Sequence, residues 1–303
     1  MFRSIKNVGL SIMTLTLLAN AVLAGEDLLK PNQKILFLGD SITHKGTYVA
    51  NFDCWLQFKH ADKHITVVNA GLGSETVSGL SEESHMKHGF ARPSLHERLT
   101  RVMDLVKPNL IFACYGMNCG IYKPLDKDRF EAYKTGIMKL RKVAKQYNAE
   151  IVHITPPFYD NHGKQGFDYN DVLTAYSKWL VEEGKTEGWN VIDLHTEMQA
   201  KITAEKTKNA KFTVQRDHIH PNEVGHWFMT QSILSYFGDR ESAAKADINA
   251  VLTDKKKVNA IYQRTSLRNK SIHFQTKPKR PVKKMKPEQA QKKIDELNKL
   301  INQ

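Results

Sequence analysis

The strongest constraint on the fold is a repeated alternation. Short, almost wholly apolar segments stop at Gly, Pro, Ser or Asn, and each is followed by a longer segment with helical periodicity. The apolar segments are 34–39, 65–70, 110–114, 150–155 and 190–194. Strands that are apolar on both faces belong to a parallel sheet covered on both sides, so the chain is expected to be α/β. The intervening helices are expected at 46–59, 95–106, 126–147 and 169–183, with a closing helix at 222–237 that Pro221 and Asn222 start. Phe130, Tyr133, Ile137, Leu140, Ala144 and Tyr147 recur every three or four residues and mark the longest amphipathic face. Residues 75–93 and the Gly/Asn/Asp-rich stretch 156–167 read as loops.

Both ends stand outside this alternation. Residues 1–24 have a positive head (Arg3, Lys6), an apolar stretch from Val8 to Leu18, and the small-residue site Val22-Leu23-Ala24. That pattern predicts a signal peptide cleaved near Ala24, hence a periplasmic or secreted product. Thr14, Thr16 and Asn20 interrupt a run already short for an anchor helix, so no membrane span is expected after cleavage. The net charge of +13 concentrates at the other end: residues 245–303 hold 16 Lys/Arg against 5 Asp/Glu. The body is therefore close to neutral, and nucleic acid is not an expected partner for it. Three domains of sequence follow: 1–24, an α/β body at 25–240, and a basic, partly helical extension at 241–303. In that extension 243–262 and 287–302 read as helical and 277–286 as an extended Lys/Pro segment. Its apolar content is too small for a core of its own.

Cys54, Cys114 and Cys119 form no disulfide framework, and buried free thiols are the expected state, although Cys114 and Cys119 are close enough in sequence to pair. His85 and His88 lack further ligands at zinc-site spacing. Neither metal nor organic cofactor is expected.

The chemistry concentrates at strand ends, where open α/β folds place their sites. The first strand stops in Gly39-Asp40-Ser41, which delivers a hydroxyl to the sheet edge. Asp217-His218-Ile219-His220 precedes the closing helix. Asp217 and His220 are three apart, so the carboxylate can meet Nδ1 and steady the imidazolium formed when His220 takes the serine proton. His218 is the alternative base. Oxyanion donors are expected from the Ser41 backbone N–H, a backbone N–H at Gly73 or Ser74, and the side-chain amide of Asn118.

Together Gly39-Asp40-Ser41-Ile42, Asn69-Ala70-Gly71-Leu72-Gly73-Ser74, Gly116-Met117-Asn118 and Asp217-His218-Ile219-His220 resemble the four ordered blocks of the SGNH (GDSL-type) hydrolases, over roughly residues 34–236. The resemblance implies a flavodoxin-like three-layer α/β/α sandwich with a five-stranded parallel sheet. It also implies Ser41 as nucleophile, His220 as base, Asp217 as its partner, and oxyanion donors from Ser41, the second block and Asn118. Two positions depart from the pattern: Ser74 stands where the second block usually has glycine, and Cys119 replaces an Asp after Asn118. In such a fold residues 75–93, Tyr115, Tyr122 and 156–167 wall the pocket. Asp40, Arg92 and Tyr115 are candidate substrate contacts, with pairing to a local acid the alternative for Arg92. Phe158, Tyr159 and Phe167 either stack on a sugar ring or pack beneath their loop.

The expected activity is a secreted serine esterase acting on carboxylic, chiefly acetyl, esters of carbohydrate. A lysophospholipase or general short-chain esterase is the first alternative. A non-catalytic glycan-binding relic of the fold is the second. The expected partner is a small-molecule or polysaccharide ester.

Overall fold

The computed structural model describes residues 25, 27–160 and 166–302. The expected signal peptide lies outside the described residues, as does 161–165 of the 156–167 loop. Five parallel strands form one sheet: β1 (Lys34–Gly39), β2 (Thr66–Asn69), β3 (Leu110–Cys114), β4 (Glu150–Ile154) and β5 (Asn190–Ile192), in the order β2-β1-β3-β4-β5. This is the flavodoxin-like order. The register aligns Phe37 with Asn69 on one side and with Phe112 on the other, and the Phe37 and Phe112 rings stack at 4.8 Å. β1 and β3 are buried almost throughout, as central strands covered on both faces must be.

The helices lie close to their expected positions. Ser41–Lys45 is a separate short helix, α1, divided from α2 (Thr47–Lys59) by Gly46, whose φ of +85° breaks the helical path. Then follow α3 (Leu99–Val106), α4 (Lys127–Gln146), α5 (Asn170–Thr186), α6 (Leu194–Lys208) and α7 (Glu223–Tyr236). Asp126 and Asn222 cap α4 and α7 with their side chains, accepting from Arg129 N and Gly225 N at 3.0 Å each. α6 was absent from the sequence expectation. Its buried stripe of Leu194, His195, Met198 and Ile202 is too thin among polar residues to stand out. Cys54, Cys114 and Cys119 are all free and buried. Among the described residues no helix is long and apolar enough to cross a membrane.

The extension packs on the body. After short turns at Arg240–Ala243 and Ile248–Val251 come α8 (Lys255–Thr276) and α9 (Pro287–Ile301). α8 reaches 14 residues beyond the expected helix end at 262 because its contacts are with the body. Val258, Ile261 and Ile272 join the main apolar core. Arg264 forms a bidentate pair with buried Asp53 of α2 at 2.8 and 2.9 Å. α8 also covers the open edge of β2. Arg268 donates to Val67 O at 2.6 Å, Asn269 to Asn69 O and Gly71 O at 3.1 Å each, and the ring of His273 meets Gly71 O at 3.1 Å. Unpaired strand carbonyls are thereby satisfied by side chains, and the edge is closed to other strands.

Candidate active site

β1 ends at Gly39, where no side chain fits: a Cβ there would lie 2.1 Å from Thr43 Oγ1 and 2.8 Å from Cys114 O. The chain therefore turns tightly from strand into α1, with Ser41 as its first residue. Asp40 caps that turn, accepting from Ile42 N at 2.9 Å. It is 3% exposed. Burial pushes its carboxyl up to about 6, against the Ile42 N–H and the nearby charges of His220 and Arg92. As a candidate substrate contact Asp40 is corrected to a builder of the turn, because burial and the cap occupy its side chain.

His220 and Asp217 lie on the loop entering α7. Ser41 Oγ is 2.8 Å from His220 Nε2, and His220 Nδ1 is 2.6 Å from Asp217 Oδ2. Asp217 divides its work between its two oxygens. Oδ1 accepts from the backbone N–H of Ile219 (3.1 Å) and His220 (2.8 Å), which shapes the turn, while Oδ2 orients the ring. Burial would raise the Asp217 pKa, but the hydrogen bonds from His220 and Ile219 outweigh it and hold the carboxyl below the usual range. An ionised Asp217 accepts a hydrogen bond from Nδ1–H, which keeps the ring proton on Nδ1 and leaves Nε2 with the lone pair facing Ser41. The alternative base, His218, turns elsewhere: its φ is +72°, and its Nδ1 lies 2.7 Å from Asp160 O. Gln215, which sequence reasoning missed, anchors the loop. Its side chain donates to Phe158 O (2.6 Å) and Ile219 O (3.1 Å) and accepts from Asp160 N (3.1 Å).

The second and third blocks meet each other where Asn118 bonds the carbonyl of Glu75. Asn69 locks the first turn of the second block, accepting from Gly71 N at 2.8 Å and donating to Thr43 O of α1 at 2.7 Å. Ser74 adopts the left-handed conformation, φ +64°, at the position where the resembled family usually carries glycine. Asn118 is oriented from both ends. Its Oδ1 accepts from Tyr122 OH at 2.9 Å, and its Nδ2 donates to Glu75 O at 3.3 Å. The Glu75 carbonyl can only accept, so it fixes which end of the amide is the donor.

Beneath them lies a buried network that the sequence did not reveal. Arg98 binds Glu75 bidentately at 2.6 and 2.7 Å and also donates to Ala70 O at 2.7 Å. Tyr115 OH donates to Glu75 Oε2 at 2.6 Å. Tyr115 is 2% exposed, so it is corrected from a candidate substrate contact to a prop for Glu75. Burial, then the charge of Glu75, drives its pKa well up. Arg92 is likewise occupied. It binds Glu82 at 2.6 and 2.5 Å and lies over the Tyr122 ring at 5.3 Å, which fits the local-acid alternative. Tyr159 is buried and Phe158 and Phe167 pack against the core. Among the described residues no group of three or more His, Cys, Asp or Glu is arranged to hold a metal ion.

Comparison with known proteins gives the family and the fold. The GDSL-like lipase/acylhydrolase family matches residues 37–228. No curated protein sequence matches the chain. Solved structures share the fold. The acetylxylan esterase Axe2 of Geobacillus stearothermophilus is 20% identical with a TM-score of 0.53, covering 69% of this chain and 96% of its own. LAE5, an alpha/beta hydrolase from the metagenome of Lake Arreo, Spain, is 19% identical with a TM-score of 0.54, covering 70% and 98%. BT4096, a gut microbial diltiazem-metabolizing enzyme, is 23% identical with a TM-score of 0.56. That match covers 69% of this chain and 47% of BT4096, so this chain spans about half of the latter's length.

Proposed function

Because the chain belongs to the GDSL-like lipase/acylhydrolase family, we propose that it is a serine esterase removing acetyl groups from carbohydrate after export. The observation that carries this reading is the unbroken hydrogen-bonded line from Ser41 through His220 to Asp217, at 2.8 and 2.6 Å. Ser41 Oγ attacks the ester carbonyl while His220 Nε2 accepts its proton, and Asp217 holds the imidazolium that results. The tetrahedral oxyanion is received by the Ser41 backbone N–H, a backbone N–H at Gly73 or Ser74, and Asn118 Nδ2. Collapse returns the proton to the leaving sugar oxygen and leaves an acyl-serine. Water then attacks the acyl-serine with the same His220 as base and releases acetate.

The carbohydrate and acetyl assignments draw on the likeness to an acetylxylan esterase and on the predicted signal peptide. Acetate release from a panel of acetylated polysaccharides tests them, with Ser41→Ala as the control. Turnover that survives Ser41→Ala removes the mechanism. Hydrolysis confined to lysophospholipids or to small aryl esters moves the substrate class, and glycan binding without turnover returns the relic reading.

A further inference from the structure

The strap joining α8 to α9 delivers a guanidinium to the second block. Lys277–Lys286 lies outside the family-matched residues, yet it runs past Gly73 and Ser74 of the second block. It is pinned by the Lys279–Glu97 ion pair at 3.2 Å and by Met285 N donating to Lys270 O at 3.2 Å. Pro278 and Pro281 flank Arg280 and stiffen its backbone. The Arg280 guanidinium lies over the Phe90 ring at 4.7 Å and donates to Ser74 Oγ at 3.4 Å. It lies so close to Gly73 that a Cβ there would be 2.5 Å from Nη1. One of these two residues, Gly73 or Ser74, is the expected second oxyanion donor, and on that expectation Arg280 stands next to the oxyanion.

Arg280 lacks the carboxylate partner that three other arginines have, as do Arg101 and Arg268, which donate to Thr276 O and Val67 O; Arg280 is the one of these three that meets Ser74. Arg92, Arg98 and Arg264 are each held bidentately by a carboxylate: Glu82, Glu75 and Asp53. Arg280 forms no ion pair among the described residues. Its other hydrogen bond is a 3.3 Å contact from Nε to Pro281 O. The carboxylate whose charge it feels, Glu75, is buried and already bound by Arg98 and Tyr115. A guanidinium offers five donors in a fork that matches the paired oxygens of carboxylates and other oxyanions, and a half-buried one without a counter-charge is the arrangement an anionic ligand completes.

We propose that Arg280 is a specificity-determining residue that selects esters whose sugar chain carries an oxyanion, carboxylate or sulfate, next to the acylated unit. This rests on the carbohydrate-esterase reading, and its test separates the two. Acetate release is measured on acetylated oligosaccharides bearing uronate, bearing sulfate, and bearing neither, with the wild type, Arg280→Met and Arg280→Lys. The wild type is expected to favour an acidic series over the neutral one by about tenfold or more in kcat/KM at low salt. The preference falls toward parity in Arg280→Met, survives in part in Arg280→Lys, and weakens with added salt. The favoured series identifies the anion. Equal losses on acidic and neutral substrates would mean that Arg280 only supports Ser74 and would overturn the proposal, as would a wild type indifferent to both anions. If the wild type cleaves no carbohydrate ester, the carbohydrate-esterase reading fails, and Arg280 is judged by binding. Calorimetry then compares acidic oligosaccharide binding to Ser41→Ala and to Ser41→Ala/Arg280→Met. Weaker binding by the double variant supports the site; equal binding, or none by either, overturns it.

Discussion

Asp217→Asn isolates the electrical role of the carboxylate from its structural one. The oxygen of the substituted amide can still accept from the N–H groups of Ile219 and His220, at the 3.1 and 2.8 Å positions that shape the turn. The loop is thus expected to keep its form. The other contact, 2.6 Å from Oδ2 to His220 Nδ1, changes sign: an amide N–H now faces Nδ1. Nδ1 must then be the acceptor, which puts the ring proton on Nε2, and Nε2 can no longer take the proton of Ser41 2.8 Å away. A wrong tautomer together with the lost stabilisation of the imidazolium costs about 10³–10⁴ in kcat, or about 4–5.5 kcal/mol of transition-state stabilisation. The assay is the steady-state hydrolysis of p-nitrophenyl acetate at saturation, beside a thermal melt. The melt should shift little, since the Asp217 side chain is 57% exposed. A kcat within about tenfold of the wild type, with the melt unchanged, would refute the assignment of Asp217 as the partner of the base.

Three further perturbations separate the parts of the site. Asp40 is buried, and its carboxyl is pushed up to about 6, so the folded state holds a proton that the unfolded chain has released between about pH 4 and 6. Wild-type stability should fall as pH rises through that window, by up to about 3 kcal/mol. Asp40→Asn keeps the cap and removes the dependence, so the gap between the two melts should widen from about pH 4 to about pH 7. Arg98→Met strands the buried Glu75 carboxylate, and urea titration should show a loss of about 3–5 kcal/mol. Asn118→Ala removes one oxyanion donor and should lower kcat about 10²–10³-fold, with KM for p-nitrophenyl acetate much less affected.

The sheet was legible because each strand is buried on both faces and carries its own stop signal. Ile35–Leu38 and Leu110–Cys114 are continuous apolar runs, Glu150–Ile154 is apolar but for Glu150 and His153, and they stop at Gly39, Tyr115-Gly116 and Pro156-Pro157. The triad candidates were legible for a related reason: Asp217 and His220 interact within one turn, so spacing alone brings them together. Sequence could not choose between His218 and His220, because the choice depends on the positive φ of His218 and on the carbonyl of Asp160. Nor could it reveal Glu75 and Arg98, 23 residues apart, since neither carries a local signal and their pairing is made by the fold. Arg280 was hidden more deeply. It meets Ser74 across 206 residues of chain, from a segment whose composition reads as a solvated basic tail.

That last contact belongs to a wider pattern of dependence. The carbonyl of Gly71 is met by His44 of α1 at 3.2 Å, by Asn269 at 3.1 Å and by His273 at 3.1 Å, the latter two from α8. The helix bearing Ser41, the second block and the extension therefore converge on one backbone oxygen. The two rings also stack, with centroids 5.2 Å apart. Burial lowers both histidines, His273 to about 3, which favours their neutral forms. A neutral pair can stack closely without charge repulsion, and each ring can donate one N–H to the carbonyl. The consequence is structural coupling between distant parts of the sequence. Whatever holds α8 against the edge of β2 also holds the turn from Gly71 to Ser74, and with it the position of Glu75 O, to which Asn118 is tied. The extension thus acts on the candidate site twice: through α8, which fixes the shape of the second block, and through Arg280, which sets the charge at its rim.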